Sequence, residues 1–252
     1  MSHIFLATPC YGGQVTLRYF HSIMNAMVYG VNNRLAITVE TLAGDSLITR
    51  ARNSLVAKFL AHKRATHLLF VDADIGFEPS HLVRLLALGE DIAACMYPLK
   101  QFFWDEDAVA RARAGELITT APIRYVGAPS TNGSQERRGD FVTADYAGTG
   151  FMLISRAAIL RMMEAHPELH YETAHVPLDV DPALLFALFD TAINPDNRHY
   201  LSEDYTFCAR WRALGGKIWL DTESSLTHAG VHEFVGAPAS RFVREKKEAA
   251  LP

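Results

Sequence analysis

The sequence predicts an α/β protein: a mixed, mostly parallel sheet flanked by helices. Short apolar segments alternate with longer helical patterns along most of the 252 residues. One of these segments, HLLFVDAD (67–74), is apolar almost without a break until its two aspartates, as expected of a central strand buried on both faces. Another, SLITRARNSLVAKFLAHKR (46–64), places Ile48, Ala51, Leu55 and Phe59 three to four residues apart, the spacing of one helix face.

Taken in order, HIFLATP is a first strand closed by the turn Tyr11-Gly12-Gly13, followed by a helix from about Gln14 to Tyr29. LAITVET is a second strand, and the helix opening at Ser46 leads into the strand that carries the aspartates. Pro79-Ser80 opens a helix that runs to Leu88 and stops at Gly89, and DIAACMYP is a fourth strand. The middle is irregular: Phe102–Glu116 mixes charges with aromatics, and Gly127–Gly139 is rich in turn residues. YAGTGFMLISR returns to strand character before a helix over Ala157–Ala165, and residues 172–199 form an irregular excursion. EDYTFCARWRALGG is a helix with a Gly-Gly stop, and KIWLD a last strand. No repeat or linker divides the chain, so residues 1–252 are expected to form a single domain, with a tail from about residue 236.

The bulk composition narrows the function classes. The chain is 49% hydrophobic and 21% charged, with a formal net charge of −4, so nothing global favours nucleic acid. Three widely spaced cysteines, Cys10, Cys95 and Cys208, argue against a disulfide framework and fit small apolar roles in a reducing compartment. No apolar run reaches the length of a membrane span, and the N-terminus does not read as a signal peptide. The expected location is cytoplasmic, with membrane association at most peripheral through the basic tail.

The chemistry concentrates in three places. Asp72 and Asp74 stand at or just past a strand end, where open parallel sheets bind ligands. Two carboxylates about 4 Å apart repel by roughly 4 kcal/mol at an effective dielectric near 20. A divalent cation reverses that repulsion, and carboxylates are hard oxygen ligands for Mg²⁺ or Mn²⁺. Solvated acids capping a turn are the plainer alternative. Glu203 and Asp204 open a helix, where Ser202 as N-cap and the helix dipole would account for them without any function. The third place is SSLTHAG, which sets His228 after a β-like segment.

Together the strand-end DAD, the segment SEDYTFCARWRALGGKIWLD and the later SSLTHAG resemble the nucleotide-sugar-dependent glycosyltransferases of the GT-A fold, most closely the family-2-like type. The likeness extends from the ATPCYGG strand end to Gly230. It implies a single Rossmann-like GT-A domain that transfers a sugar from a UDP- or GDP-type donor to a glycan or other hydroxyl acceptor, with inversion. It further implies that Asp74 and His228 hold Mn²⁺ or Mg²⁺, with Asp72 assisting at the metal or contacting the ribose. Asp204 is then the general base, with Glu203 as the second choice. Thr8, Pro9 and Tyr11, with Ala73 between the aspartates, belong to the implied nucleotide-binding surface.

Other candidates come from the residues themselves. Arg50 and Asn53 share a helix face just ahead of the DAD strand, where Arg50 would reach a phosphate or the carboxylates, or else be a surface charge. Gly148 and Gly150 permit close backbone approach, which the resemblance implies is beside the sugar, or simply a tight strand entry. Trp104 is the candidate for stacking on a sugar, whereas Trp211, four residues after Phe207 on a helix, reads as core. Two other classes compete. A haloacid dehalogenase-like phosphotransferase shares the hydrophobic-strand DxD, but Gly76 stands where that family places Thr or Val. A non-catalytic nucleotide- or glycan-binding module would not need the Glu203–Asp204 pair. A glycosyltransferase acting on nucleic acid bases is disfavoured by the acidic balance.

Overall fold

A computed structural model describes residues 2–131, 135–173 and 179–242. The predicted loop Gly127–Gly139, the excursion 172–199 and the tail therefore each lie partly outside the described residues. The central sheet has nine strands, β1 (His3–Cys10), β2 (Ala36–Ala43), β3 (His67–Val71), β4 (Ile92–Cys95), β5 (Ala128–Pro129), β6 (Arg137–Arg138), β7 (Phe141–Tyr146), β8 (Phe151–Ser155) and β9 (Ile218–Asp221). They lie in the order β2-β1-β3-β8-β4-β9-β7-β5, with β6 also paired to β7. Parallel pairs join β1 to β2, β1 to β3 and β4 to β9, while β8 and β7 are antiparallel to every neighbour. Seven of the nine strands thus point one way, which is the mixed, mostly parallel sheet the sequence predicts.

Six helices surround it among the described residues: α1 (Leu17–Asn33), α2 (Ile48–Ala61), α3 (Pro79–Leu88), α4 (Glu106–Arg113), α5 (Arg156–Ala165) and α6 (Glu203–Ala213). Strand β3 shows why the sheet needs cover on both faces. Leu68 and Phe70 face a core built with Leu55 and Phe59 of α2, Met162 of α5, and Phe207 and Trp211 of α6. Leu69 and Val71 face the opposite core, with Tyr19 and Ala26 of α1 and Leu82 and Leu85 of α3. Alternate side chains of one apolar run supply both cores. The three cysteines are free and buried, and Trp211 is 1% exposed, as expected.

The helix limits follow local chemistry. Thr16 caps α1 by accepting from the Tyr19 N–H at 3.3 Å. Pro79 starts α3 and Gly89 ends it with φ of 72°. Two features depart from the sequence reading. The irregular stretch after Phe102 contains α4, capped by Asp105 on the Ala108 N–H at 2.8 Å, with acids in its first turn and arginines in its last. The strand expected over residues 146–156 begins only at Phe151, as β8, while Tyr146 ends the separate strand β7 and Ala147–Gly150 lie between them. No helix among the described residues is long and apolar enough to cross a membrane.

At the far end of β9, the buried Asp221 accepts two hydrogen bonds from Arg84 of α3, at 2.7 and 2.8 Å, and one from Ser224. This fixes the point from which the SSLTHAG segment departs. Burial by itself would raise the Asp221 carboxyl, but its bonds from Arg84, the Glu223 N–H and Ser224 outweigh burial and hold it below the usual carboxylate range. Its folded value is depressed, so its contribution is complete above the ordinary carboxylate range and is lost as pH falls toward the folded value. Asp221→Asn should cost about 3 kcal/mol in urea denaturation at neutral pH. The difference from the unsubstituted protein should shrink on acidification.

Candidate active site at the end of strand β3

The strand-end segment is a turn held from three sides. The Asp72 N–H donates to the Gly150 carbonyl at 3.1 Å, and the Ile75 N–H donates back to the Asp72 carbonyl at 3.0 Å. The Ala73 carbonyl accepts from the Thr16 N–H at 2.9 Å, and the Asp74 carbonyl from the Ala229 N–H at 2.9 Å. Backbone bonding to the neighbouring strands and to Thr16 therefore fixes where both carboxylates emerge.

A second, three-stranded sheet carries His228 to this turn. Thr227–Ala229 pairs with Ile75–Gly76 on one side and Glu233–Val235 on the other. His228 Nε2 stands 3.2 Å from Asp74 Oδ1. Its Nδ1 lies 2.7 Å from the Pro98 carbonyl, and since a carbonyl only accepts, Nδ1 carries the hydrogen. The other Asp74 oxygen, Oδ2, accepts from Lys100 Nζ. Burial would raise the Asp74 carboxyl, but the His228 and Lys100 contacts outweigh it and hold the group below the usual range.

Arg52 connects this turn to the Glu203–Asp204 pair. Its guanidinium donates from Nη2 to Asp72 Oδ1 at 3.0 Å and from Nε to Glu203 Oε1 at 2.9 Å. The residue is only 4% exposed. Burial opposes its charge, yet Asp72 and Glu203 overcome that cost, so the guanidinium is held firmly protonated. Its third nitrogen, Nη1, is buried and has no hydrogen-bond partner among the described residues.

Asp204 is differently placed. Its Oδ1 accepts from the Ser202 hydroxyl and from the Tyr205 N–H, and Thr149 N–H approaches Oδ2 at 3.4 Å. All three donors are neutral. Burial, followed by repulsion from Glu203, pushes its carboxyl above the ordinary range. Ser202 is the residue that caps α6, but its hydroxyl serves Asp204 rather than a helix N–H.

Pro9, Tyr11, Asp45, Ser46, Ile48, Arg52, Asp72, Ala73, Asp74 and His228 line a single cleft of about 310 Å³. The structure thus brings together Pro9, Tyr11, Asp72, Ala73, Asp74 and His228 in one surface, with Glu203 reached through Arg52. Thr8 is buried beneath it, its hydroxyl 2.7 Å from that of Tyr19. Arg50 forms a paired contact with Asp45, both bonds 2.8 Å, and does not line the cleft. Asn53 is buried, clamping the backbone of Phe189 through both its amide atoms at 2.8 and 2.9 Å. Gly148 and Gly150 are buried against Tyr97, whose ring a Cβ on either would strike. The glycines therefore serve packing, with the Gly150 N–H donating to the Tyr97 hydroxyl at 3.3 Å. Trp104 is 57% exposed and outside the cleft lining.

The residues sequence reasoning missed are Arg52 and Lys100. Arg52 carried a readable signal: it lies four residues after Ile48 and three before Leu55, on the buried face of α2. An arginine on an apolar stripe needs a buried partner. Lys100, in YPLKQF, carried no comparable signal.

As a metal site the donor set is incomplete. Asp74 and His228 stand side by side, but Asp72 is committed to Arg52. Among the described residues no group of three His, Cys, Asp or Glu side chains is placed to hold a metal ion.

No protein-family model matches the chain, and neither does any curated protein. Solved structures similar to it include A197 from STIV, at 15% identity and a TM-score of 0.48, covering 90% of this chain and 86% of that one. A glycosyltransferase involved in the glycosylation of the major capsid of PBCV-1 matches at 12% identity and a TM-score of 0.33, over 68% of each chain. A putative glucose-1-phosphate thymidylyltransferase from Bacillus anthracis matches at 9% identity and 0.34, over 65% of this chain and 75% of that one.

The two arginines of α2 give contrasting expectations. Arg52→Ala leaves two carboxylates facing each other in a buried setting and should cost about 3–5 kcal/mol in chemical denaturation. Arg50→Ala, which removes a pair whose arginine is 41% exposed, should cost about 1 kcal/mol or less.

Proposed function

We propose that the protein is a glycosyltransferase that moves a sugar from a nucleoside-diphosphate sugar, of UDP or GDP type, to a hydroxyl acceptor, with inversion. The observation that carries this reading is the Arg52 bridge, which joins the strand-end Asp72 to Glu203, next to Asp204. A donor-binding turn and an acid pair from distant parts of the chain thereby become one site beside one cleft.

In this reading Pro9, Tyr11 and Ala73 receive the nucleoside, and the diphosphate lies toward Asp74. The acceptor oxygen attacks the anomeric carbon while the bond from that carbon to the diphosphate breaks. The nucleoside diphosphate departs with the bonding electrons, and the hydroxyl proton passes to Asp204. A positioned base of this kind contributes about 10²–10⁴-fold. Asp204 suits the role better than Glu203: Glu203 is held on Arg52, whereas the raised Asp204 carboxyl has no cationic partner among its hydrogen-bond donors and is the better proton acceptor. The three expected metal ligands do not stand as one group, so no step here is routed through a metal.

Asp204→Asn should retain nucleotide binding by calorimetry within about threefold and lose at least about 100-fold in transfer rate. A base works only when deprotonated, and burial and Glu203 raise this one. The acid limb of kcat should accordingly lie above the ordinary aspartate range and vanish in the Asn variant. Transfer that survives Asp204→Asn with an unchanged pH profile would remove Asp204 from the mechanism.

A further inference from the structure

Both oxygens of Asp74 are already matched by groups of the protein. His228 takes Oδ1 and Lys100 takes Oδ2, while Asp72 is held by Arg52. A divalent cation entering here would have to displace the Lys100 ammonium and draw Asp72 away from a buried guanidinium. The chain instead supplies two positive charges of its own, Arg52 and Lys100, at the places where the DxD pattern implies one bound ion.

Lys100 is also held in position. Its strand, Tyr97–Phe102, pairs with Ile123–Val126 at Tyr97, Pro98 and Phe102, so paired residues bracket Lys100, which itself sits where the register shifts. Its stem crosses Gly230, where an added Cβ would stand 3.1 Å from Lys100 Cδ. The last residue of SSLTHAG is thus small where the lysine passes over it. His228, anchored through Nδ1 on the Pro98 carbonyl two residues before Lys100, steadies the other side of the same carboxylate. The side chain of Lys100 is 37% exposed, so its ammonium remains open to solvent beside the cleft.

We propose that Lys100, rather than a divalent cation, is the charge that receives the donor diphosphate: its ammonium rests on Asp74 when the cleft is empty and takes diphosphate oxygens when the donor binds. The inference rests on the glycosyltransferase reading and assigns the ligand of a residue that reading leaves unused. Lysine is a compact point charge on a flexible stem, suited to move from one oxyanion to another without leaving the site. Asp74 then holds the lysine in readiness, which accounts for an acid at a place that must accept an anion.

The test is calorimetric titration of the whole protein with UDP and with GDP, in EDTA and in Mn²⁺, for the unsubstituted chain, Lys100→Met and Lys100→Arg. Lys100→Met keeps the stem over Gly230, and near-UV circular dichroism verifies that each variant is folded. The unsubstituted chain should bind one of the nucleotides equally well, within about twofold, in EDTA and in Mn²⁺. Lys100→Met should weaken binding in EDTA by about 10- to 100-fold, the loss of a charge-assisted contact, and Lys100→Arg should restore most of it. Binding by the unsubstituted chain that requires Mn²⁺, with Lys100→Met equal to it or tighter, overturns the role of Lys100 and leaves the transfer reading standing. Absence of binding by either nucleotide in both buffers overturns the two together.

Discussion

The buried guanidinium of Arg52 is the constraint on which the site depends. It emerges from the first turns of α2, reaches forward to the end of β3 and across to the start of α6, and is almost wholly removed from solvent. A single buried charge is expensive, and so is a pair of acids facing each other in the same volume. Each cost is met by the other, but only if the helix, the strand end and the second helix keep their relative positions. The ion cluster therefore acts as a gauge of tertiary geometry: a shift of any of the three elements by an ångström or two would strand a charge.

The neutral packing around it serves the same end. Asn53, one residue along α2 from Arg52, clamps the Phe189 backbone, and the Phe189 ring sits between Phe70 of β3 and Phe207 of α6 at 5.2 and 4.3 Å. The three elements that Arg52 joins by charge are thus joined a second time by aromatic contact. Tyr97 does likewise on the opposite side, packing against both glycines between β7 and β8 and lying edge-on to the His228 ring at 5.5 Å. The candidate residues Arg52 and His228 thus each adjoin a residue that holds their surroundings in place, Asn53 and Tyr97.

What the sequence disclosed and what it withheld follow from range. The helix α3 was legible to the residue because Pro79 and Gly89 are local signals, and β3 because its apolar run is unbroken. The α4 helix had local signals too, an aspartate cap, early acids and late arginines, but the surrounding aromatics concealed its period. Spacing showed that Arg50 and Asn53 neighbour each other on the helix, but it could not show their partners: Arg50 is taken by Asp45 and Asn53 by the Phe189 backbone, and Arg52 is the residue that reaches the carboxylates. The contact of His228 with Asp74 and that of Lys100 with the same carboxylate depend on a small sheet and a crossing strand. No periodicity in the chain encodes those encounters, and only the motif resemblance anticipated the first. The glycines of AGTG were read toward a ligand, whereas their neighbours are Tyr97 and Val126.

Four carboxylates converge on this end of the sheet, and their partners make them unlike one another. Asp72 and Glu203 share one guanidinium. Asp74 has a lysine and a histidine, which together lower its proton affinity against the effect of burial. Asp204 has hydrogen bonds from neutral donors only, and burial raises it. Chemically identical Asp74 and Asp204 side chains are thereby displaced in opposite directions, the separation that the proposed transfer asks of one carboxylate that holds a cation and another that takes a proton. The repulsion expected between two acids at a strand end is met in the same terms. Asp72 and Asp74 leave a common turn but enter separate ion pairs, so their mutual repulsion is countered by charges the chain itself provides. The distinction among the acids is a property of the assembled fold, since each partner, Arg52 of α2, Lys100 of a flanking strand and His228 of a second sheet, arrives from a different segment.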